Sequence, residues 1–169
     1  IDSLNLEKFS SYLKIKEGRK SLNGDYKFIY LKEMDEKYLS KDFDISDLDN
    51  IKVPSHIEFN EYDIPQYVNT MYPWEGKENL SLGEVPKNNR VGIYFKDLEI
   101  NDLSKDIYLE FEGFESCLYL YVNGVFVGYS THNFTTSTFK INDYINEGNN
   151  RITLVVFKYS FVSWYTDQD

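Results

Sequence analysis

From residue 91 to residue 159 the chain passes through short runs in which apolar residues alternate with polar or aromatic ones, each run bounded by Gly, Asn, Asp or Ser. A period of two places successive side chains on opposite faces of an extended strand, so this stretch constrains the fold more than any other feature. The runs cover 91–100, 106–112, 117–122, 125–130, 134–141 and 151–159. Asn123-Gly124 joins two of them, and an Asn-Gly pair suits a type I′ hairpin, in which both central residues take positive φ. Residues 142–150 read as a polar turn around Tyr144 and Ile145. Strands at this spacing, with tight turns and no helical crossover, predict an all-β fold: an antiparallel β-sandwich or jelly roll.

The first half is less regular. Residues 24–31 alternate, with Tyr26, Phe28 and Tyr30 on one face and Lys27, Ile29 and Leu31 on the other, and predict a strand. A short N-terminal helix is expected over 4–16, because Leu6, Phe9 and Leu13 lie near helical spacing, Asn5 offers a cap and Gly18 a stop. Residues 32–50 read as a long charged connection punctuated by Tyr38, Leu39, Phe43, Ile45 and Leu48. The strand-like run from Ile51 ends at Pro54, whose ring removes an N–H from any ladder. Residues 59–90 hold three of the four prolines. Long connections this rich in aromatics are expected to be ordered and to present side chains.

Composition sets the remaining bounds. With 169 residues the chain can bury one substantial core, and 15 Tyr and 12 Phe exceed what a disordered segment carries. The formal net charge of -10 disfavours nucleic acid and anionic membrane surfaces, both of which bind through Lys and Arg. Cys117 is the one cysteine, so no internal disulfide forms, and its strand-like surroundings suggest packing rather than reactivity. No apolar stretch has spanning length and no leader is visible at Ile1, so a cytoplasmic protein is expected.

No phosphate-cradling glycine loop, Cys/His zinc pattern or nucleophile elbow occurs. His56 and His132 stand apart, and a lone His is more often structural than a metal ligand. One cluster is chemically distinctive: Ser163-Trp164-Tyr165-Thr166-Asp167-Gln168-Asp169 combines two aromatics with two carboxylates and an amide. Aromatic faces pack on the C–H surfaces of sugars while Asp and Gln exchange hydrogen bonds with hydroxyls. The alternative is a polar linker.

Several motifs occur in an order that carries a resemblance. Ser21-Leu22-Asn23-Gly24-Asp25-Tyr26-Lys27-Phe28 resembles the SLNGxWxF opening of glycoside hydrolase family 2 N-terminal domains, with Tyr26 where Trp is usual. Val53-Pro54-Ser55 and Tyr62-Asp63-Ile64-Pro65 resemble that family's VPS…GYDxPxY segment. Tyr67-Val68-Asn69-Thr70-Met71-Tyr72-Pro73 is similar to the YxNxxYP motif of its β-galactosidase branch. Tyr121-Val122-Asn123-Gly124 through Val127-Gly128-Tyr129-Ser130 resembles the family hairpin, Glu147-Gly148-Asn149-Asn150-Arg151 resembles its turn into the last strand, and Asp167-Gln168-Asp169 resembles the DQD of large bacterial β-galactosidases.

The resemblance spans residues 21–169 and implies a family 2 N-terminal β-sandwich there, truncated at its C-terminal end; residues 1–20 carry no such resemblance and read as an N-terminal helical extension. It implies a retaining β-galactosidase whose catalytic glutamates belong to a separate barrel domain, so no catalytic residue is expected in this chain and no activity from it alone. Asn69 and Asp169 are implied to contact galactose, and Asp169 also a sodium ion. Tyr72, Asp167 and Gln168 are implied to support them. Sodium and magnesium are the ions expected in the full-length enzyme. The implied partners are β-galactosides such as lactose, the remaining domains of the same chain, and further copies in a homo-oligomer. A free-standing carbohydrate-binding module and a purely structural assembly domain are the competing readings.

Overall fold

In the computed structural model, which describes residues 11–15, 18–63, 72–114, 116–131 and 135–166, the alternating runs form strands. They are β1 (Ser11–Ile15), β2 (Gly18–Ser21), β3 (Gly24–Leu31), β4 (Asp49–Val53), β5 (Val91–Ile100), β6 (Ile107–Phe111), β7 (Cys117–Val122), β8 (Val125–Ser130), β9 (Ser137–Lys140) and β10 (Gly148–Phe157), followed by a single helical turn, α1 (Ser163–Thr166). Two sheets result, one ordered β2-β1-β6-β9 and the other β4-β3-β5-β10-β7-β8. Every pairing in them is antiparallel.

The period of two explains the core. Even-numbered Tyr26 and Phe28 on β3, Leu98 and Ile100 on β5, and Ile152 and Leu154 on β10 face the second sheet, whose Ile107, Leu109 and Phe111 meet them in one buried cluster. The opposite face carries Val91, Ile93, Phe95 and Val155, covered by Tyr38, Leu39, Phe43, Ile45 and Leu48 of the connection before β4. The apolar punctuation of that connection is thus a lid over the outer face of the larger sheet. Its centre is buried on both sides, as its nearly continuous apolar run requires.

The expected N-terminal helix is corrected over 11–15. Those residues form β1, paired to β2 on one side and to β6 on the other, from Ser11 opposite Phe111 to Ile15 opposite Ile107. Two ladders of backbone hydrogen bonds outweigh a weak local helical preference. Residues 1–10 lie outside the described residues.

The Asn123-Gly124 hairpin forms as expected, with φ of 51° and 81°. Gly124 is also needed for space, since a Cβ there would stand 3.2 Å from the Leu39 carbonyl oxygen and the Lys41 nitrogen. Behind the hairpin, the Asn123 side chain donates to the Tyr144 carbonyl at 2.9 Å and to Asn150 Oδ1 at 2.8 Å. Asn150 is fully buried. It donates in turn to the carbonyls of Asn146 and Gly148, at 2.7 and 2.9 Å.

Candidate functional site

Where β10 ends, the chain is held by reciprocal bonds. Lys158 N–H donates to the Arg90 carbonyl at 2.9 Å. Tyr159 N–H donates to Asn89 Oδ1, and Asn89 Nδ2 donates back to the Tyr159 carbonyl, each at 2.9 Å. Ser160 and the buried Ser163 then close the turn into α1, with Ser160 N–H donating to Ser163 Oγ at 3.1 Å. Short hydroxyl side chains favour such local caps over continued extension.

A second segment meets α1. Trp74 is buried and stacks on Tyr72 with ring centroids 5.0 Å apart and planes 9° apart. Trp164 of α1 packs on both, at 4.7 Å from Tyr72 and 5.1 Å from Trp74, and Tyr159 meets Trp74 edge-on at 5.4 Å. Polar atoms pin this cluster. Tyr72 Oη donates to the Trp164 carbonyl at 3.0 Å, and Trp164 Nε1 donates to the Glu84 carbonyl at 2.7 Å. Aromatic pairs of this kind contribute about 0.5–1.5 kcal/mol each beyond burial.

Beside the cluster runs a groove of about 400 Å³ lined in part by Asp63, Trp74, Arg90, Lys158 and Tyr159. Lys158 Nζ lies 2.7 Å from Asp63 Oδ2, and Tyr30 Oη donates to the same oxygen at 2.6 Å. Burial, and then the bond to Asp63, push the Tyr30 hydroxyl far above its usual 10.0, so it stays protonated and serves as a donor to the carboxylate. With side-chain exposures of 17% for Lys158 and 12% for Asp63, this is a largely shielded pair. Removing one partner would leave the other charge poorly solvated.

Of the residues expected at the site, Tyr72 is described, and it is a fixed point of the aromatic cluster. Asn69, Asp167, Gln168 and Asp169 lie outside the described residues. The sequence reading missed Trp74, Tyr159, Asp63 and Lys158. Asp63 stood in the Tyr62-Asp63-Ile64-Pro65 motif and Trp74 in an aromatic-rich connection, but nothing local joined them to Lys158 and Tyr159, which lie tens of residues away in sequence. Cys117 is 5% exposed, and burial raises its thiol pKa, which agrees with packing rather than nucleophilic use. Among the described residues no group of three or more His, Cys, Asp or Glu could hold a metal ion. No helix among them is long and apolar enough to cross a membrane.

Residues 19–169 match the family described as "Glycosyl hydrolases family 2, sugar binding domain". The β-galactosidase of Streptococcus thermophilus is 42% identical over 95% of this chain and 17% of its own length. That of Clostridium acetobutylicum is 41% identical over 89% of the chain and 18% of its length. The chain therefore spans under a fifth of either relative. Among solved structures, a Bacteroides uniformis β-glucuronidase superposes with a TM-score of 0.59 at 18% identity, covering 88% of this chain and 15% of that one, which is a likeness of fold.

Proposed function

Because this chain belongs to the sugar binding domains of glycosyl hydrolase family 2, we propose that it supplies two walls of the galactose pocket in a retaining β-galactosidase whose catalytic glutamates lie in another domain. Asn69 and Asp169 contact the sugar, and Asp167 and Gln168 orient the Asp169 side-chain carboxylate.

One observation carries the reading. The segment after Asn69 and the segment before Asp169, about a hundred residues apart in sequence, are joined by the Tyr72–Trp164 hydrogen bond of 3.0 Å. Asn69 precedes Tyr72 by three residues, and Asp169 follows Trp164 by five. A chain reaches at most about 3.6 Å per residue, which confines the Cα of Asn69 to within about 11 Å of that of Tyr72 and the Cα of Asp169 to within about 18 Å of that of Trp164. In the relatives the matching stretch belongs to proteins named β-galactosidase.

Sodium would rest on Asp169, whose carboxylate is the hard oxygen donor such a cation requires. When bound, sodium would present positive charge to a sugar hydroxyl. Magnesium is the other ion expected in the full-length enzyme. In this reading the substrates are β-galactosides such as lactose, and a cytoplasmic homo-oligomer is the expected setting.

The test is kinetic. In the full-length protein, Asn69→Ala and Asp169→Asn should each raise KM for a chromogenic galactoside, and Asp169→Asn should abolish any difference between sodium and potassium. The chain by itself should show no turnover. Unchanged KM in both variants would reduce the domain to a scaffold.

A further inference from the structure

The contacts around the 64–71 segment form a pattern of which the pocket reading uses only the Tyr72–Trp164 bond. Its preceding residue, Asp63, is ion-paired to Lys158 at 2.7 Å and accepts from Tyr30 at 2.6 Å. Its following residue, Tyr72, donates to the Trp164 carbonyl at 3.0 Å and packs on the Trp164 ring at 4.7 Å. Both flanks are therefore fastened to one short stretch of chain, 158–164, which runs from the end of β10 into α1 and so toward Asp169.

We propose that Lys158 and Trp164 are positioning residues for galactoside binding: they fasten Asp63 and Tyr72, the residues on either side of 64–71, to the stretch that leads from β10 through α1 toward Asp169, and their loss would weaken galactoside binding without removing a group that touches the sugar. The proposal rests on the pocket reading above. Its physical basis is that groups meeting one sugar from two segments bind it well only if their spacing is set before binding, since every loose torsion must otherwise be frozen.

Trp164 suits this role because it is held at both ends. Its indole N–H is committed to the Glu84 carbonyl at 2.7 Å and its own carbonyl to Tyr72. Lys158 is likewise anchored through its backbone, which donates to the Arg90 carbonyl at 2.9 Å. Neither side chain needs to touch the sugar.

The experiment uses the full-length enzyme with Tyr72→Phe, Trp164→Phe, Lys158→Met and Lys158→Arg, assayed well below the melting temperature of each. Losing one hydrogen bond or one shielded charge should raise KM about three- to tenfold while kcat stays within about twofold. Lys158→Arg should recover most of the loss. Tyr72→Phe removes the bond to the Trp164 carbonyl and Trp164→Phe the bond to the Glu84 carbonyl; because the two rings pack on each other, the effects should combine less than additively.

A lower melting temperature with unchanged KM in these variants would mark the contacts as merely structural and overturn the proposal, even where Asn69→Ala and Asp169→Asn do raise KM. If those two variants are themselves silent, the pocket reading fails first. Should Lys158→Met not fold, Tyr72→Phe removes a single hydroxyl and still decides the question.

Discussion

At the scale of single residues, Asn150 is the side chain on which the last turn depends. Its Oδ1 accepts from the Asn146 N–H and from Asn123 Nδ2, each at 2.8 Å, while its Nδ2 donates to two carbonyls. All its amide capacity is used in a position with no solvent exposure. Aspartate has nearly the same shape but brings no N–H donors when ionised, so Asn150→Asp strands the carbonyls of Asn146 and Gly148 and buries a charge. At about 1–3 kcal/mol for each stranded group, the loss should be roughly 3 kcal/mol, a drop in Tm on the order of 10 °C for a chain of this size. Burial raises the pKa of a carboxyl, so the introduced acid regains a donor below that raised value. The deficit should accordingly be smaller at pH 5 than at pH 8. Thermal melts at the two pH values check this, and a loss that does not change with pH would show that the side chain is not buried as described. The Asn-Gly hairpin and the Glu-Gly-Asn-Asn-Arg turn were both visible in the sequence, but not that Asn123 and Asn150 bond to each other. A local signal identifies a turn without naming what lies behind it.

At the scale of elements, legibility followed the range of the pairing. Strands β3, β5, β7, β8 and β10 were marked by alternation or by turn residues at their ends, signals held within each segment. The first strand was not. Its apolar residues overlap a helical spacing, and its partner on the far side is β6, with Ser11 opposite Phe111. No window of local periodicity contains both. The site divided along the same line: Tyr72 stood in a recognisable motif, while its contact with Trp164 joins residues 92 apart. The strand assignment has a consequence that the helical one lacks. Because β1 lies between β2 and β6, a chain starting at Gly18 leaves β2 without its partner and opens one edge of β6, whose Ile107, Leu109 and Phe111 belong to the main core. Hydrogen exchange should then quicken along Ile107–Phe111 and remain slow in the β5–β10 pair. A peripheral helix over the same residues would have left β6 protected, so unchanged exchange there would restore the helical reading.

At the scale of the whole molecule, charge and site meet in one measurement. A net charge of -10 on 169 residues makes the folded chain repel itself, and mobile ions weaken that repulsion. Raising salt from about 10 mM to about 200 mM shortens the screening length from about 30 Å to under 10 Å, so the chain by itself should become more stable. A gain of about 1 kcal/mol would appear as a rise of roughly 2–4 °C in Tm. Screening depends on ionic strength and not on which monovalent cation supplies it. Sodium and potassium chloride should therefore stabilise this domain equally, because in the proposed reading Asp169 is the residue of this chain that contacts sodium, and a single carboxylate is too few ligands to select one monovalent cation over another. In the full-length protein the two salts should diverge in KM for a galactoside, and Asp169→Asn should bring them together again. A sodium-specific rise in the melting temperature of the isolated domain would contradict this, since it would mean that the chain assembles a complete cation site without its neighbouring domains.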